Sequence, residues 1–421
     1  MCLTLPARIL SLGNNRALVE SNGKELSVMI GISDRLSAGD FVLTTGDYLI
    51  KKIDQIEAEE IIELLKSYPA AQRDSMNPDL RNVLDRAAAD ELTKKDLEYL
   101  LSLTDKKDLA ALYSEANIVR KTNIKDHICV HGIIEFSNYC KNDCYYCGLR
   151  KSNTEKKNYR LTPEEIIDAA VQAVNSKGYK ILVLQSGEDD YFSEARLAEI
   201  ISSIKKQAKC FIYISIGERP INEYETFKKA GANGILYRFE TSNPKLYAQL
   251  RPDKILADRI NQIRQLKVLG YIISTGMIVG LPGQKMSDLA EDIILMKELG
   301  TFMPSMGPLV PTKNTPLQSE GTIDFELMLK VIAVTRLYLK TARIPVTTAM
   351  ETLGGGDEAR KKCFMAGANS IMFNLTPSLY RENYRIYDNK YYDAEKRYEK
   401  WALFKGELSY RMIEDELQIK L

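Results

Sequence analysis

The sequence predicts an α/β protein of two units: a small N-terminal β-barrel, then a helical connector leading into a (β/α)8 barrel of the TIM type. Three observations carry this prediction. Short apolar strands recur at close, regular spacing over roughly the first sixty residues. Eight apolar strands then alternate with amphipathic helical stretches for most of the remaining chain. Polar and Gly-rich residues recur directly after those strands, where the active sites of such barrels lie.

The first unit, residues 1–68, is expected to contain strands ARILSLG, RALVES, LSVMIG and DFVLTT. Gly13-Asn14-Asn15, Ser21-Asn22-Gly23 and Ala38-Gly39-Asp40 supply the turns between them. The helical stretch IEAEEIIELLKSY closes the unit, and residues 69–78, polar and Pro-containing, read as a linker. Residues 79–127 form a charged helical lead-in (DLRNVLDRAAADEL, TKKDLEYLLSL, KKDLAALYSEANIVRKTN).

The barrel is expected over 128–375, with residues 376–421 as a tail packing on it. Its strands are HGIIEFS, KILVLQSG, CFIYISIG, GILYRFE, YIISTGMIVG, FMPSMGPLV, IPVTTA and SIMFN. The first barrel helix opens on Thr162-Pro163-Glu164-Glu165: an N-cap, a proline at the first helical position and the Glu of a capping box.

Composition narrows the function. Among 421 residues, 58 Lys and Arg balance 57 Asp and Glu, for a net charge of +1. That balance gives no electrostatic case for nucleic acid or an anionic membrane as the main partner. No apolar run is long enough to span a bilayer and MCLTLPARIL does not resemble a signal peptide, so a cytoplasmic protein is expected. Seven cysteines in such a chain point to metal binding before disulfides. With only His127 and His131 present, a His-rich metal site is excluded.

The stretch EFSNYCKNDCYYCGLR, directly after the first barrel strand, spaces Cys140, Cys144 and Cys147 as C-x3-C-x2-C. Three thiolates can hold a 4Fe–4S cluster and leave one iron open, as three protein ligands leave a catalytic zinc open. A zinc site completed by Cys129 or His131 is the alternative. Cys129, Cys210 and Cys363 otherwise read as small buried apolar residues.

This loop resembles the signature of radical S-adenosylmethionine enzymes, down to an aromatic, Tyr146, before the last cysteine. The resemblance implies that Cys140, Cys144 and Cys147 hold one 4Fe–4S cluster. It also implies that the open iron chelates S-adenosylmethionine, cleaved by an electron to a 5′-deoxyadenosyl radical. Gly187 and Glu188 resemble the element that binds the methionine amino group, and Arg238 sits where an arginine pairs with the methionine carboxylate. Arg219 and Glu240 fall at strand ends beside them, and Ile278, in Gly276-x-Ile278-x-Gly280, matches the element that packs adenine.

Within that superfamily, LQSGED, SIGERP, ETSNPKLYAQLRPD, VGLPGQ, IPVTTAM and GANSIMFNLTPSLYR resemble the FeFe-hydrogenase maturase family HydE, from about residue 80 to about 390. The resemblance implies an iron carbonyl–cyanide substrate bound to cysteine, in a cavity lined by Arg219, Arg238, Thr347, Thr348 and Tyr380. A family-like Ser-Pro-Tyr-Arg reads Ser378-Leu379-Tyr380-Arg381 here, and no cysteine follows Cys363, so a single cluster is expected. MCLTLP, Ala38–Leu43 and the Ile53-Asp54 region resemble the hydrogenase assembly chaperone family HypC. That implies an iron-complex ligand in Cys2, although Thr45 stands where the family usually has a histidine.

The implied partners are a low-potential electron donor, ferredoxin or flavodoxin, and other hydrogenase maturation proteins. Two alternatives stay open: a radical mutase acting on an organic amino acid such as lysine, and a non-catalytic scaffold for an iron complex.

Overall fold

In a computed structural model the chain divides into two compact units, residues 1–81 and 82–421. The structure describes residues 4–59 apart from 22 and 46, then 76–124 and 128–390. Cys2, His127, most of the helix ending the first unit, most of the linker and the tail beyond 390 lie outside the described residues.

The first unit is a closed five-stranded barrel: β1 (Thr4–Leu12), β2 (Arg16–Ser21), β3 (Lys24–Ile30), β4 (Phe41–Thr45) and β5 (Tyr48–Ile53), in the order β1-β2-β3-β5-β4. Alternation places Ala7, Ile9, Ala17, Val19, Val28, Val42 and Leu49 in its core. β4 pairs antiparallel with β1 and β5, while β3 and β5 pair in parallel. Sequence reading finds four of these strands and misses β5. YLIKKI carries two adjacent lysines and has only Leu49 and Ile53 buried, so its strand pattern is weak.

Three helices lead into the barrel, Pro78–Ala88, which runs across the division at 81, then Lys94–Ser102 and Lys106–Ile124. Thr93 and Asp96 form a reciprocal capping box on the second of these. The last two pack on barrel helices, and the Lys330 ammonium reaches the Leu103 carbonyl at 3.0 Å.

The barrel strands are β6 (Cys129–Ser137), β7 (Ile181–Ser186), β8 (Phe211–Ser215), β9 (Gly234–Leu236), β10 (Ile272–Thr275), β11 (Ile278–Val279), β12 (Met303–Pro304), β13 (Gly307–Pro308), β14 (Pro345–Val346) and β15 (Ser370–Asn374). Eight of them form one parallel sheet in the order β12-β10-β9-β8-β7-β6-β15-β14. Every residue of β6 is buried, as expected for a parallel strand covered on both faces. The eighth barrel strand, β15, pairs with the first, β6, so the sheet curls round. Between β12 and β14 there is no ladder, and the Arg343 N–H to Phe302 carbonyl bond, 2.9 Å, joins the two edges.

The predicted strands YIISTGMIVG and FMPSMGPLV each break in two. Their second halves, β11 and β13, pair as a separate two-stranded sheet. The break is where Glu240, at φ +73°, inserts its backbone. Its N–H donates to Gly276 O at 3.0 Å, and its carbonyl accepts from Ile278 N at 2.8 Å. Gly276 is required there, because a Cβ would lie 2.3 Å from Ser305 O.

Candidate functional site

The cysteine loop leaves the carboxyl end of β6 and is tied down by backbone bonds on several sides. Tyr145 N–H donates to Leu250 O and Gly148 N–H to Ile386 O, both at 2.9 Å, and Lys151 N–H to Asn142 O at 2.8 Å. Asp143 bridges the two ends of the loop, accepting from Arg150 and from Ser152, and the guanidinium holds its carboxyl well below the usual carboxylate range.

The loop after β7 lies directly against it. Gly187 N–H donates to Ser137 O at 3.1 Å, Lys141 N–H to Glu188 O at 3.0 Å, and Glu188 N–H points at the Cys140 sulfur at 3.4 Å. A Cβ on Gly187 would stand 2.2 Å from Tyr139 O, so glycine permits the approach. Gly217, at φ +75°, likewise makes room for the Glu188 side chain, which a Cβ there would strike at 2.1 Å.

These elements enclose a cavity of about 300 Å3 at the carboxyl end of the barrel. Cys140, Cys144, Cys147, Tyr146, Gly187, Glu188, Arg238, Glu240, Ile278, Thr347 and Thr348 all line it. Burial raises all three thiols, Cys147 to about 12. The Tyr146 hydroxyl donates to Glu240 Oε1 at 3.1 Å. Arg238 Nε lies 3.2 Å from Glu240 Oε2, at an angle that makes no hydrogen bond. Thr347 caps the helix Thr348–Gly354, and the Thr348 hydroxyl bonds to that of Tyr387.

Two expected cavity residues are elsewhere. Arg219 turns outward, donating to Glu223 at 2.9 Å and to the Phe192 carbonyl at 2.8 Å, where it clamps the loop after β7. The Tyr380 hydroxyl donates to Glu165 at 2.8 Å and its ring stacks on Tyr159, on the flank of the first barrel helix. Neither lines the cavity. The zinc alternative also fails on position. Cys129 and His131 lie about 26 and 20 Å below the end of β6 at a rise of ~3.3 Å per residue. There His131 is buried against Ser370 and Tyr213, and desolvation lowers its pKa to about 4.

Other cavity residues escaped sequence reading. Arg251 and Arg259 line it, both buried: Arg259 donates to the Arg238 carbonyl and to Glu218, and Arg251 lies 3.9 Å from Glu188. Arg259 shares the buried face of its helix with Leu256, Ile263 and Leu266, and an arginine in that apolar register is a legible signal. Glu135, paired with Lys390 and with Asn374, is a second such signal: a carboxylate directly after the apolar pair Ile133-Ile134 in a strand buried throughout.

Three buried polar atoms in this cavity have no hydrogen-bond partner: Glu188 Oε2, Glu240 Oε2 and Arg251 Nε. Each costs about 1–3 kcal/mol if left so. Acceptors for an ammonium and a donor for a carboxylate, beside three soft thiols, suit an amino acid held next to an iron–sulfur cluster.

A barrel of this topology with a three-cysteine loop at the carboxyl end of its first strand defines a radical S-adenosylmethionine protein. Residues 134–296 match the radical SAM superfamily, 305–397 the biotin and thiamin synthesis associated domain, and 1–65 the HupF/HypC family. The chain belongs to the family of the FeFe-hydrogenase maturase subunit HydE: it is 43% identical to that of Thermotoga maritima over 317 residues, 75% of this chain and 90% of the relative. It is 31% identical to the 3-methylornithine synthase of Methanosarcina barkeri, over 73% of this chain and 85% of that one. The crystal structure of a methylornithine synthase superposes with a TM-score of 0.68 at 28% identity, covering 78% of this chain and 98% of that one. The maturase HydG of Carboxydothermus hydrogenoformans shares the fold, with a TM-score of 0.62 at 22% identity, over 76% of each chain. The chain is thus a radical SAM enzyme, and its family implies a 4Fe–4S cluster and S-adenosylmethionine. Among the described residues no helix is long and apolar enough to cross a membrane.

Proposed function

We propose that this chain is a hydrogenase maturase that acts on a cysteine-bound iron carbonyl–cyanide complex. The observation that supports it best is the convergence on one cavity of Cys140, Cys144 and Cys147 with Glu188, Glu240 and Arg251, each of which keeps a buried polar atom without a hydrogen bond. In this reading the three cysteines hold a single 4Fe–4S cluster. Bound there, cluster and S-adenosylmethionine supply reductive cleavage to a 5′-deoxyadenosyl radical.

The chain's own residues do the positioning. Glu188 Oε2 and Glu240 Oε2, the latter ion-paired with Arg238 but not hydrogen-bonded, accept the methionine ammonium, and Arg251, with Arg238 and Arg259 beside it, donates to the carboxylate. Tyr146 fixes the Glu240 carboxylate through its hydroxyl, and Ile278 offers an apolar face to adenine. Thr347 and Thr348 present hydroxyls to the substrate's acceptors. The N-terminal unit carries or receives the iron fragment on Cys2, and the linker raises its effective concentration at the barrel. The electron comes from a low-potential ferredoxin or flavodoxin.

The test is anaerobic reconstitution followed by measurement of 5′-deoxyadenosine with an iron–dicarbonyl–cyanide–cysteine complex, with lysine, or with no addition. Stimulation by the iron complex is expected. Stimulation by lysine instead sustains the second reading, a mutase of organic amino acids, favoured by the likeness to methylornithine synthase. A verified cluster with no deoxyadenosine refutes both.

A further inference from the structure

The segment after the cysteine loop, RKSNTEKKNYR (residues 150–160), is rich in cations. Three cations in or beside the loop have a carboxylate partner, while Lys151 and Lys157 are exposed. Arg150 pairs with Asp143 at 2.5 Å, Arg160 with Asp189 at 2.7 Å, and Lys141, within the loop, with Asp190 at 2.8 Å. Lys156 differs. Its side chain folds back so that the ammonium donates to the carbonyls of Leu149, at 2.5 Å, and Arg150, at 2.9 Å, two and three residues beyond Cys147. Among the described residues no carboxylate lies within ion-pair distance of it.

A half-buried ammonium whose hydrogen bonds go to carbonyls alone is costly, because desolvation disfavours its charge and no carboxylate at ion-pair distance offsets the loss. Burial indeed lowers the Lys156 pKa, and Cys140, Cys147 and, after them, the Asp143 carboxylate act against the lowering. Asp143 is already paired with Arg150 and bonded to Ser152, so the further anion facing Lys156 is to be sought at the cysteines. A cluster held by three thiolates is net anionic and gains a further negative charge on reduction. Lys156 does not line the cavity, so its charge acts on the loop from outside the cosubstrate site.

We propose that Lys156 is the counter-charge of the cluster and raises its reduction potential by stabilising the reduced, more anionic state. Charge and hydrogen bonding around the sulfurs set such potentials, and the Glu188 N–H to Cys140 contact supplies the hydrogen bond on the cavity side. The inference rests on the cluster assignment made above.

The full-length protein, reconstituted anaerobically, is titrated with dithionite and followed by electron paramagnetic resonance. Lys156→Gln keeps a donor for both carbonyls and removes the charge, Lys156→Met removes both, and Lys156→Arg keeps the charge. Lys157→Gln removes an exposed neighbouring cation as control. At a fixed solution potential, Lys156→Gln and Lys156→Met are expected to lower the reduced-to-oxidised ratio about tenfold, about 59 mV for one electron. Lys156→Arg and Lys157→Gln should follow the wild type, and S-adenosylmethionine binding should be unchanged in all four. Wild-type potentials in both uncharged variants, or an equal shift in Lys157→Gln, overturn the role of Lys156 alone. A wild-type protein that takes up iron but shows no reducible cluster overturns the cluster assignment and this inference with it.

Discussion

Replacing Gly187 by alanine should cost the protein its cluster without costing it the barrel. The added Cβ would meet Tyr139 O at 2.2 Å and the Cys140 Cβ at 2.9 Å, whereas ordinary contact begins at 3.4 Å. The obstacle is backbone, so the cysteine loop must retreat by about 1.2 Å. That retreat strains the Glu188 N–H to Cys140 sulfur contact and the Lys141 N–H to Glu188 carbonyl bond, now 3.4 and 3.0 Å. Overpacking of this kind costs about 1–3 kcal/mol and each lost bond about 1 kcal/mol, so the loop loses about 3–5 kcal/mol of order. Misplacement by an ångström also slows chemistry about 100-fold. The assay is iron and sulfide per chain after anaerobic reconstitution, with deoxyadenosine formation on the same sample. Gly178→Ala is the control. Gly178 has φ +77° and nothing within 4 Å, so alanine costs only the left-handed penalty of about 1–2 kcal/mol and leaves iron content alone. Full iron and undiminished cleavage in Gly187→Ala would refute the packing argument.

Three further outcomes are expected. Asp292 is fully buried, its carboxylate accepts the Ser242 N–H, and desolvation pushes its pKa up to about 7. The folded state thus holds a proton that the unfolded chain releases above about pH 4, and stability falls as pH rises towards 7, by up to about 1.4 kcal/mol per pH unit. Denaturation midpoints at pH 5 and 8 should draw together in Asp292→Asn; an unchanged gap would exclude Asp292 as the source. Glu351 and Arg360 form a buried ion pair with side chains 2% and 1% exposed, so Glu351→Gln should destabilise by about 3–5 kcal/mol in denaturant melts. The pair of changes Glu351→Gln and Arg360→Met should recover much of that loss. Tyr380→Phe should leave iron content and deoxyadenosine formation unchanged, since its hydroxyl is spent on Glu165 outside the cavity.

The barrel was legible because its strands are apolar and its helices carry their own start signals; Thr162 and Glu165 form the capping box their spacing announces. The cluster loop was legible because cysteine chemistry is written in local spacing. What could not be read depends on tertiary geometry. The break in the fifth and sixth strands comes from the backbone of Glu240, two helices away in sequence, and GMIVG carries no local mark of it. Arg219 and Arg238 both follow barrel strands, yet one turns to the rim and the other into the cavity. Strand-end position fixes the neighbourhood of a side chain, while its direction depends on the partners it finds.

The cysteine loop is fastened by bonds that the polypeptide makes to itself, from Leu250, Ile386, Asn142 and Glu188. In small metal-folded domains the ion supplies the folding free energy, and losing it unfolds the chain. Here the bonds that hold the loop run between protein groups and do not pass through the cargo. Air that strips iron and sulfide from this enzyme should leave a folded, refillable apoprotein rather than a substrate for proteases. Oxidative damage then becomes an interruption of service, reversed by resupply of iron and sulfur without new synthesis of the chain.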